Sequence, residues 1–341
     1  MYNNFFIDDF TLLGIQLTDA LSDISKKSLF ETVIENSLRD NPLFTKNMQC
    51  VAISAICNKF LRQDKLEKWL NPYRNIIKEQ DRSVAIIMAG NIPLVGFHDL
   101  LAVLATGYKA LVKLSSKDKH LLPALVSLLF GINSYWRQRI QFVEELPESP
   151  DIVIVTGSNE TALYFESYYK DSRKLIRGSR SSLALLYGGE SLLDLEALAK
   201  DVFLYYGMGC RSISTIMIPS SFDLQRLILS FKYMESEITA KDYLDAYKYQ
   251  KALSSMTNEK FIDGGFYLLK ENDTFIPPLG VVNIIRYECV SEARKFIESN
   301  LYRLQCVVNY NHYVSFGETQ YPEIDQYADG VNSLEFLMQI V

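Results

Sequence analysis

From Ser83 to Tyr310 the chain alternates between short apolar runs and stretches with apolar residues at helical spacing, a pattern that few folds accept. The apolar runs are SVAIIMA (83–89), ALVKL (110–114), IQFVEE (140–145), IVIVT (152–156), LALLY (183–187), ISTIMIP (213–219), GVVNIIRY (280–287) and QCVVNY (305–310). Runs with little polar interruption suit strands covered on both faces, the usual condition of a parallel sheet. Between them, residues 97–105, 121–129, 192–204, 222–251 and 291–298 read as helices, with another starting near Asn159. Gly107 fits the end of the first of these as a C-cap glycine. Strands and helices in alternation predict an α/β chain with a mostly parallel sheet. One α/β domain is expected over 79–190, a second over 191–315, and a C-terminal tail over 316–341. Upstream, residues 1–78 form a helical N-terminal region, in which segments 28–38 and 48–70 carry the helical spacing.

Charge and cysteine usage remove several classes of function. The formal net charge is −6 and no basic stripe is present, so a nucleic-acid partner is not expected. No apolar run approaches the roughly 18 residues of a membrane-spanning helix, so stable membrane insertion is not expected. The opening MYNNFFIDDF carries acids where a signal peptide carries bases, which makes a cytoplasmic location the expectation. The five cysteines (Cys50, Cys57, Cys210, Cys289 and Cys306) include no C-x-x-C pair, and only three histidines exist, so no metal site is expected.

Four short segments carry residues suited to chemistry. The first is YYGMGCRS (205–212), with Cys210 behind two glycines. A thiol is partly ionised at neutral pH, and glycines let a substrate approach the backbone and its N–H donors. Arg211 beside it favours the thiolate if its head lies close; the alternative is a buried cysteine in a glycine-bearing loop. The second is AGNIP (89–93), where the Asn91 amide suits an oxyanion donor or simply the geometry of a turn. The third is VTGSNE (155–160), a strand, a Gly-Ser turn and a helix start. Such a terminus binds phosphate, or Ser158 is only an N-cap. The fourth is GYKALVKLSSKD (107–118), with Lys113 at a strand end and Ser115 and Ser116 after it. His98 reads as structural, and Cys50, Cys57, Cys289 and Cys306 lie in apolar runs and read as core.

In this order and approximate spacing the four segments resemble the aldehyde dehydrogenase superfamily. The resemblance is to its acyl-CoA reductase branch, the fatty-acyl reductase of bacterial luminescence systems. It is carried by residues 90–118, 156–169 and 205–212, and more weakly by GVVNII (280–285) and LQCVVNY (304–310). The resemblance implies a Rossmann-type cofactor domain over 79–190 and an α/β catalytic domain over 191–315. It implies Cys210 as nucleophile and Asn91 as oxyanion amide. It also implies Lys113 at the adenosine ribose, Gly157 and Ser158 at the cofactor diphosphate, and Thr156 near the nicotinamide. Ser116 stands where many NAD-preferring members have a glutamate, so NADPH is the implied cofactor, with NADH as the alternative.

Two departures shape the expected chemistry. The glutamate that activates water in hydrolytic members falls near Ile176, in LIRGSRSS (175–182), and no carboxylate is there. LYGGE (186–190) looks similar but lies too close to Cys210. FIPPLGVV (275–282) lacks the glutamate that contacts the cofactor in relatives. The expected activity is therefore NADPH-dependent reduction of an acyl-CoA, a fatty acyl-CoA above all, to the aldehyde through an acyl-cysteine. Two alternatives remain: an acyltransferase or thioesterase using the same cysteine, and a non-catalytic interaction protein of the same fold. Oligomerisation is left open.

Overall fold

The computed structural model describes residues 2–22, 29–310 and 314–339; Ser28, the first residue of one expected helix, and His312 lie outside them. The chain divides into two compact units, Met1–Ser179 with Pro322–Val341, and Arg180–Tyr321.

The first unit begins with four helices, α1 (Tyr2–Ser22), α2 (Leu29–Asp40), α3 (Lys46–Lys59) and α4 (Gln63–Leu70). The expected helix over 48–70 is two, broken at residues 60–62. Phe6, Phe10 and Leu13 of α1 and Ile53 of α3 share one core with the sheet that follows. Trp136 is wholly buried beside Phe6 and Phe10, and its indole N–H donates to Asp9 Oδ2 at 2.8 Å.

The sheet is built from β1 (Ser83–Ile87), β2 (Lys109–Lys113), β3 (Ile140–Phe142), β4 (Ile152–Thr156) and β5 (Arg173–Arg177). Helices α5 (Phe97–Ala105), α6 (Leu121–Ile132) and α7 (Asn159–Tyr168) connect them. The strands lie in the order β3-β2-β1-β4-β5 and every pair is parallel. Val84 to Ile87 and Ile152 to Val155 are all buried, as their unbroken apolar runs require. Helix α5 is buried at every position but His98, which explains why seven of its nine residues are apolar, His98 and Asp99 being the exceptions. It ends where expected. Gly107 has φ +83°, and a Cβ there would lie 2.3 Å from the Lys78 carbonyl oxygen, so glycine is needed on both counts. Strand β5 escapes the sequence reading because RKLIR begins and ends in charge.

The last described segment also belongs to the first unit, where the sequence reading has a tail. Helix α12 (Ser333–Met338) buries Leu334 and Leu337 completely. Nearby, Glu323 pairs with Lys59 and Lys65 at 2.8 and 2.6 Å.

The second unit holds a six-stranded sheet in the order β11-β6-β7-β10-β9-β8. Its strands are β6 (Ser181–Leu185), β7 (Ile213–Pro219), β8 (Ile262–Asp263), β9 (Leu268–Glu271), β10 (Val281–Tyr287) and β11 (Leu304–Val308). Among the described residues only the β8 pairing with β9 is antiparallel. Helices α8 (Leu192–Phe203), α9 (Gln225–Phe231), α10 (Lys241–Met256) and α11 (Val290–Asn300) complete it. The break between α9 and α10 divides the helix expected over 222–251. The expected boundary at 190/191 and the observed division at 179/180 differ for a plain reason: β6 pairs with β7 and β11, not with the first sheet.

Candidate active site

In the first unit, Asn91, Lys113 and Thr156 all stand at the C-terminal edge of the sheet. Lys113 closes β2 opposite Ile87, Thr156 closes β4, and Asn91 follows β1. Strand order reverses between β1 and β4, which makes this edge a topological switch point. Ligands of open parallel sheets bind at such crevices.

The Asn91 turn is tightly built. Asn91 is exposed, while Pro93 and Leu94 are buried. Leu94 has φ +59°, a conformation costly for a branched side chain. Its N–H donates to Asp118 Oδ2 at 2.7 Å. Asp118 is buried, its Oδ1 has no hydrogen-bond partner among the described residues, and burial pushes its carboxyl up to about 6. A Cβ on Gly90 would lie 2.5 Å from Ser115 Oγ, so only glycine lets the two turns meet this closely. Ser116, in the second turn, is exposed.

The turn after β4 is equally fixed. The Gly157 N–H donates to the Arg177 carbonyl at 3.1 Å, and a Cβ on Gly157 would lie 2.6 Å from Thr161 Cγ2. Ser158 is the N-cap of α7, accepting from the Thr161 N–H at 3.2 Å. Its hydroxyl therefore performs the capping role weighed against phosphate binding. Asn159 Oδ1 accepts from the Ser179 N–H at 2.8 Å and ties the end of β5 to the same helix start.

Beneath Thr156 lies a buried ion pair that the sequence did not suggest. Arg177 Nη1 donates to Asp99 Oδ1, and its Nη2 donates to Ser333 Oγ at 2.9 Å. Thr156 Oγ1 donates to the other Asp99 oxygen at 3.4 Å. Ile176, near which the resemblance puts the missing glutamate, packs with Ala85, Ile87, Val153, Val155 and Tyr169. His98 is structural: its Nε2 lies 2.8 Å from the Ile324 carbonyl oxygen, and its ring meets those of Phe60, Trp69 and Tyr327.

In the second unit, Cys210 sits just before β7, on a loop whose shape comes from three residues in succession. Tyr205, Tyr206 and Gly207 have φ of +57°, +55° and +72°. Two aromatic residues in the left-handed region are strained, and such strain persists only where packing holds it. Here both tyrosines are buried, and Tyr206 Oη accepts from the Ala240 N–H at 3.1 Å. A turn then closes from the Ser212 N–H to the Gly209 carbonyl at 2.9 Å, with Cys210 and Arg211 at its tip. Ser182 Oγ donates to the Cys210 carbonyl at 2.9 Å and lies 3.1 Å from Cys306 Sγ. Cys210 itself is half-buried.

The other cysteines are less uniform than expected. Burial pushes the thiols of Cys57 and Cys306 up to about 11, so both stay protonated at neutral pH, and it raises Cys50 as well. Cys289 is exposed, not core, because it precedes α11 at the end of β10; a hydrogen bond with Ser291 lowers its thiol. Glu190, in LYGGE, accepts from the N–H groups of Tyr187 and Gly188 at 2.5 and 3.0 Å and so closes its own turn. Among the described residues no group of three or more His, Cys, Asp and Glu is placed to hold a metal. No helix among them is long and apolar enough to cross a membrane.

A parallel sheet with its switch point at a glycine turn, followed by a second α/β unit with a cysteine loop, defines the aldehyde dehydrogenase class of fold. Solved structures agree. The γ-glutamyl-γ-aminobutyraldehyde dehydrogenase of Burkholderia cenocepacia J2315 superposes with a TM-score of 0.66 at 14% identity, over 98% of this chain and 82% of that one. Aldehyde dehydrogenase 21 of Physcomitrella patens gives 0.64 at 11% identity, over 98% and 84%. Within that fold the chain belongs to the acyl-CoA reductase (LuxC) family, whose model matches residues 53–227, just over half of its length. A curated relative, the long-chain acyl-protein thioester reductase of Aliivibrio fischeri, is 25% identical over 170 residues. That match covers 44% of this chain and 35% of the relative, about a third of the relative's length.

Proposed function

We propose that the protein reduces an acyl-CoA thioester, a fatty acyl-CoA foremost, to the aldehyde with NADPH, through an acyl-Cys210 intermediate. The observation that carries this reading is the family match, because residues 53–227 contain Asn91, Lys113, Ser116, Thr156, Gly157, Ser158 and Cys210 alike. The apolar setting of Ile176 supports it, since that position offers no base to activate water against the acyl-enzyme.

The switch-point crevice of the first unit fits a dinucleotide. Gly157 lets the turn after β4 pack tightly against Thr161, and α7 begins there with the amides at the very start of its first turn lacking intrahelical acceptors. The Gly157 N–H is already used by Arg177, so the amides that follow it would meet the diphosphate. Lys113 would hold the adenosine ribose. Ser116 would donate to a 2′-phosphate, which a carboxylate would repel. NADPH, when bound, supplies a hydride.

The chain's own residues do the rest. The Cys210 thiolate attacks the thioester carbonyl carbon and forms a C–S bond. The Asn91 amide and the Cys210 N–H donate to the oxygen as it gains charge. The CoA sulfur leaves as a thiolate and takes up a proton. After hydride has added to the acyl carbon, the oxygen regenerates the carbonyl and the Cys210 sulfur leaves, which releases the aldehyde.

The test is incubation with acyl-CoAs of graded chain length and NADPH or NADH, with aldehyde measured. Aldehyde is expected with the long-chain substrates, and NADPH is expected to be the better donor. No aldehyde from any of them removes the reductase reading. Ser116→Glu is expected to weaken NADPH relative to NADH by at least about tenfold in kcat/KM. An unchanged ratio removes Ser116 from the cofactor site.

A further inference from the structure

We infer that Asp118 is a positioning residue, a clamp that holds the turn carrying Asn91 in the shape needed to meet a developing oxyanion. The inference rests on the reductase reading of the site and goes beyond it to a group that touches neither substrate nor cofactor.

The geometry makes the case. Asp118 and Leu94 belong to the turns that follow β2 and β1, adjacent strands of one parallel sheet. Leu94 needs a reason to sit at φ +59°, and its N–H is held by Asp118 Oδ2 at 2.7 Å. A buried carboxylate is a strong acceptor, and a buried N–H left without one is costly. The Asp118 turn is itself anchored. The Asp118 N–H donates to the Ser115 carbonyl at 3.1 Å, and Asn41 Nδ2 donates to the Lys117 carbonyl at 3.2 Å. Gly90 removes the last obstacle to contact between the turns. The result is one rigid block carrying Asn91 on one side and Ser116 on the other.

The unpartnered Oδ1 is what separates a clamp from ordinary packing. Burying a carboxyl with one oxygen unsatisfied disfavours its ionised form, and the raised pKa reflects this. An apolar residue of similar size would pack at this position without that penalty. What the acid supplies is the single acceptor for Leu94.

Three variants test the idea: Asp118→Ala, Asp118→Asn and Asn91→Ala, with acylation of Cys210 by an acyl-CoA followed by rapid-quench mass spectrometry. Asp118→Ala removes the acceptor and is expected to slow acylation about 10- to 100-fold, the scale of a donor displaced by about 1 Å. Its NADPH affinity is expected to change less than about threefold, because Lys113 and the Gly157 turn remain and the backbone bond from the Asp118 N–H to the Ser115 carbonyl, which shapes the Ser116 turn, is kept. Asp118→Asn keeps an oxygen for Leu94 and is expected to stay within about threefold of wild type. In an Asn91→Ala background, Asp118→Ala is expected to cost less than about twofold more, since both changes remove one effect. Hydrogen exchange gives a readout independent of turnover: the peptide over residues 90–97 is expected to lose protection in Asp118→Ala and keep it in Asp118→Asn.

An acylated wild type with Asp118→Ala equally fast overturns the clamp alone. So do additive losses with Asn91→Ala, or an asparagine variant as slow as the alanine. A wild type that is never acylated overturns the reductase reading and the positioning role with it.

Discussion

Cys210→Ala is expected to remove acyl-CoA-dependent aldehyde formation, by at least about 10³-fold, while leaving NADPH binding close to wild type. The reason is that every step assigned to the second unit passes through one sulfur, and the neighbouring thiol does not replace it. Cys306 lies 3.1 Å from the same Ser182 hydroxyl, but burial pushes its thiol up to about 11, so almost none is thiolate at neutral pH. Cys210→Ser is expected to be nearly as slow, because a serine hydroxyl ionises far less readily than a thiol. The measurements are aldehyde yield, NADPH consumption and the mass of the acyl adduct, with circular dichroism to show that the variant folds. Substantial aldehyde from the alanine variant would end the covalent mechanism.

Arg177→Ala is expected to be the most damaging single change to stability in the first unit, at about 3–5 kcal/mol. It leaves Asp99 in the interior without its guanidinium and strips Ser333 of its partner. Breaking such a pair costs more than replacing it, so Arg177→Met with Asp99→Leu is expected to recover much of the loss. Because the chain has two units, the comparison belongs in hydrogen exchange of the first unit, not in one global melting curve. A double variant as unstable as Arg177→Ala would show that the cost comes from packing and not from the orphaned charge.

The fold was legible wherever burial made the sequence monotonous. SVAII, IVIVT and ISTIMIP are strands within a residue or two of where their apolar runs put them, because each is covered on both faces. Helix α5 begins and ends at the expected residues, since a mostly apolar stretch closed by a left-handed glycine has few alternatives. Strand β5 was hidden by its charged ends, and one of those charges, Arg177, is buried by a partner 78 residues away. No local pattern reveals such a pairing.

The candidate site was legible as residue types and not as geometry. Asn91, Lys113 and Thr156 were each placed at strand ends, but their meeting on one edge depends on the order β2-β1-β4, which periodicity does not encode. Asp118 was in view as the last residue of the lysine-bearing segment. Its role depends on the left-handed backbone of Leu94, a conformation that a leucine gives no reason to expect. The exposed Cys289 shows the converse error, because it lies two residues past the end of the apolar run to which the sequence assigns it.

The return of α12 to the first unit sets an order of assembly during synthesis. The second unit, roughly 140 residues, is inserted between β5 and the segment that supplies Leu334, Leu337 and Ser333. At about 5–20 residues per second, a ribosome takes roughly 7–30 s to make that insertion. Throughout that interval the apolar surface of the first unit that Leu334 and Leu337 cover is without them, and Arg177 lacks its hydroxyl partner. The second unit can therefore complete its own fold before α12 reaches the first.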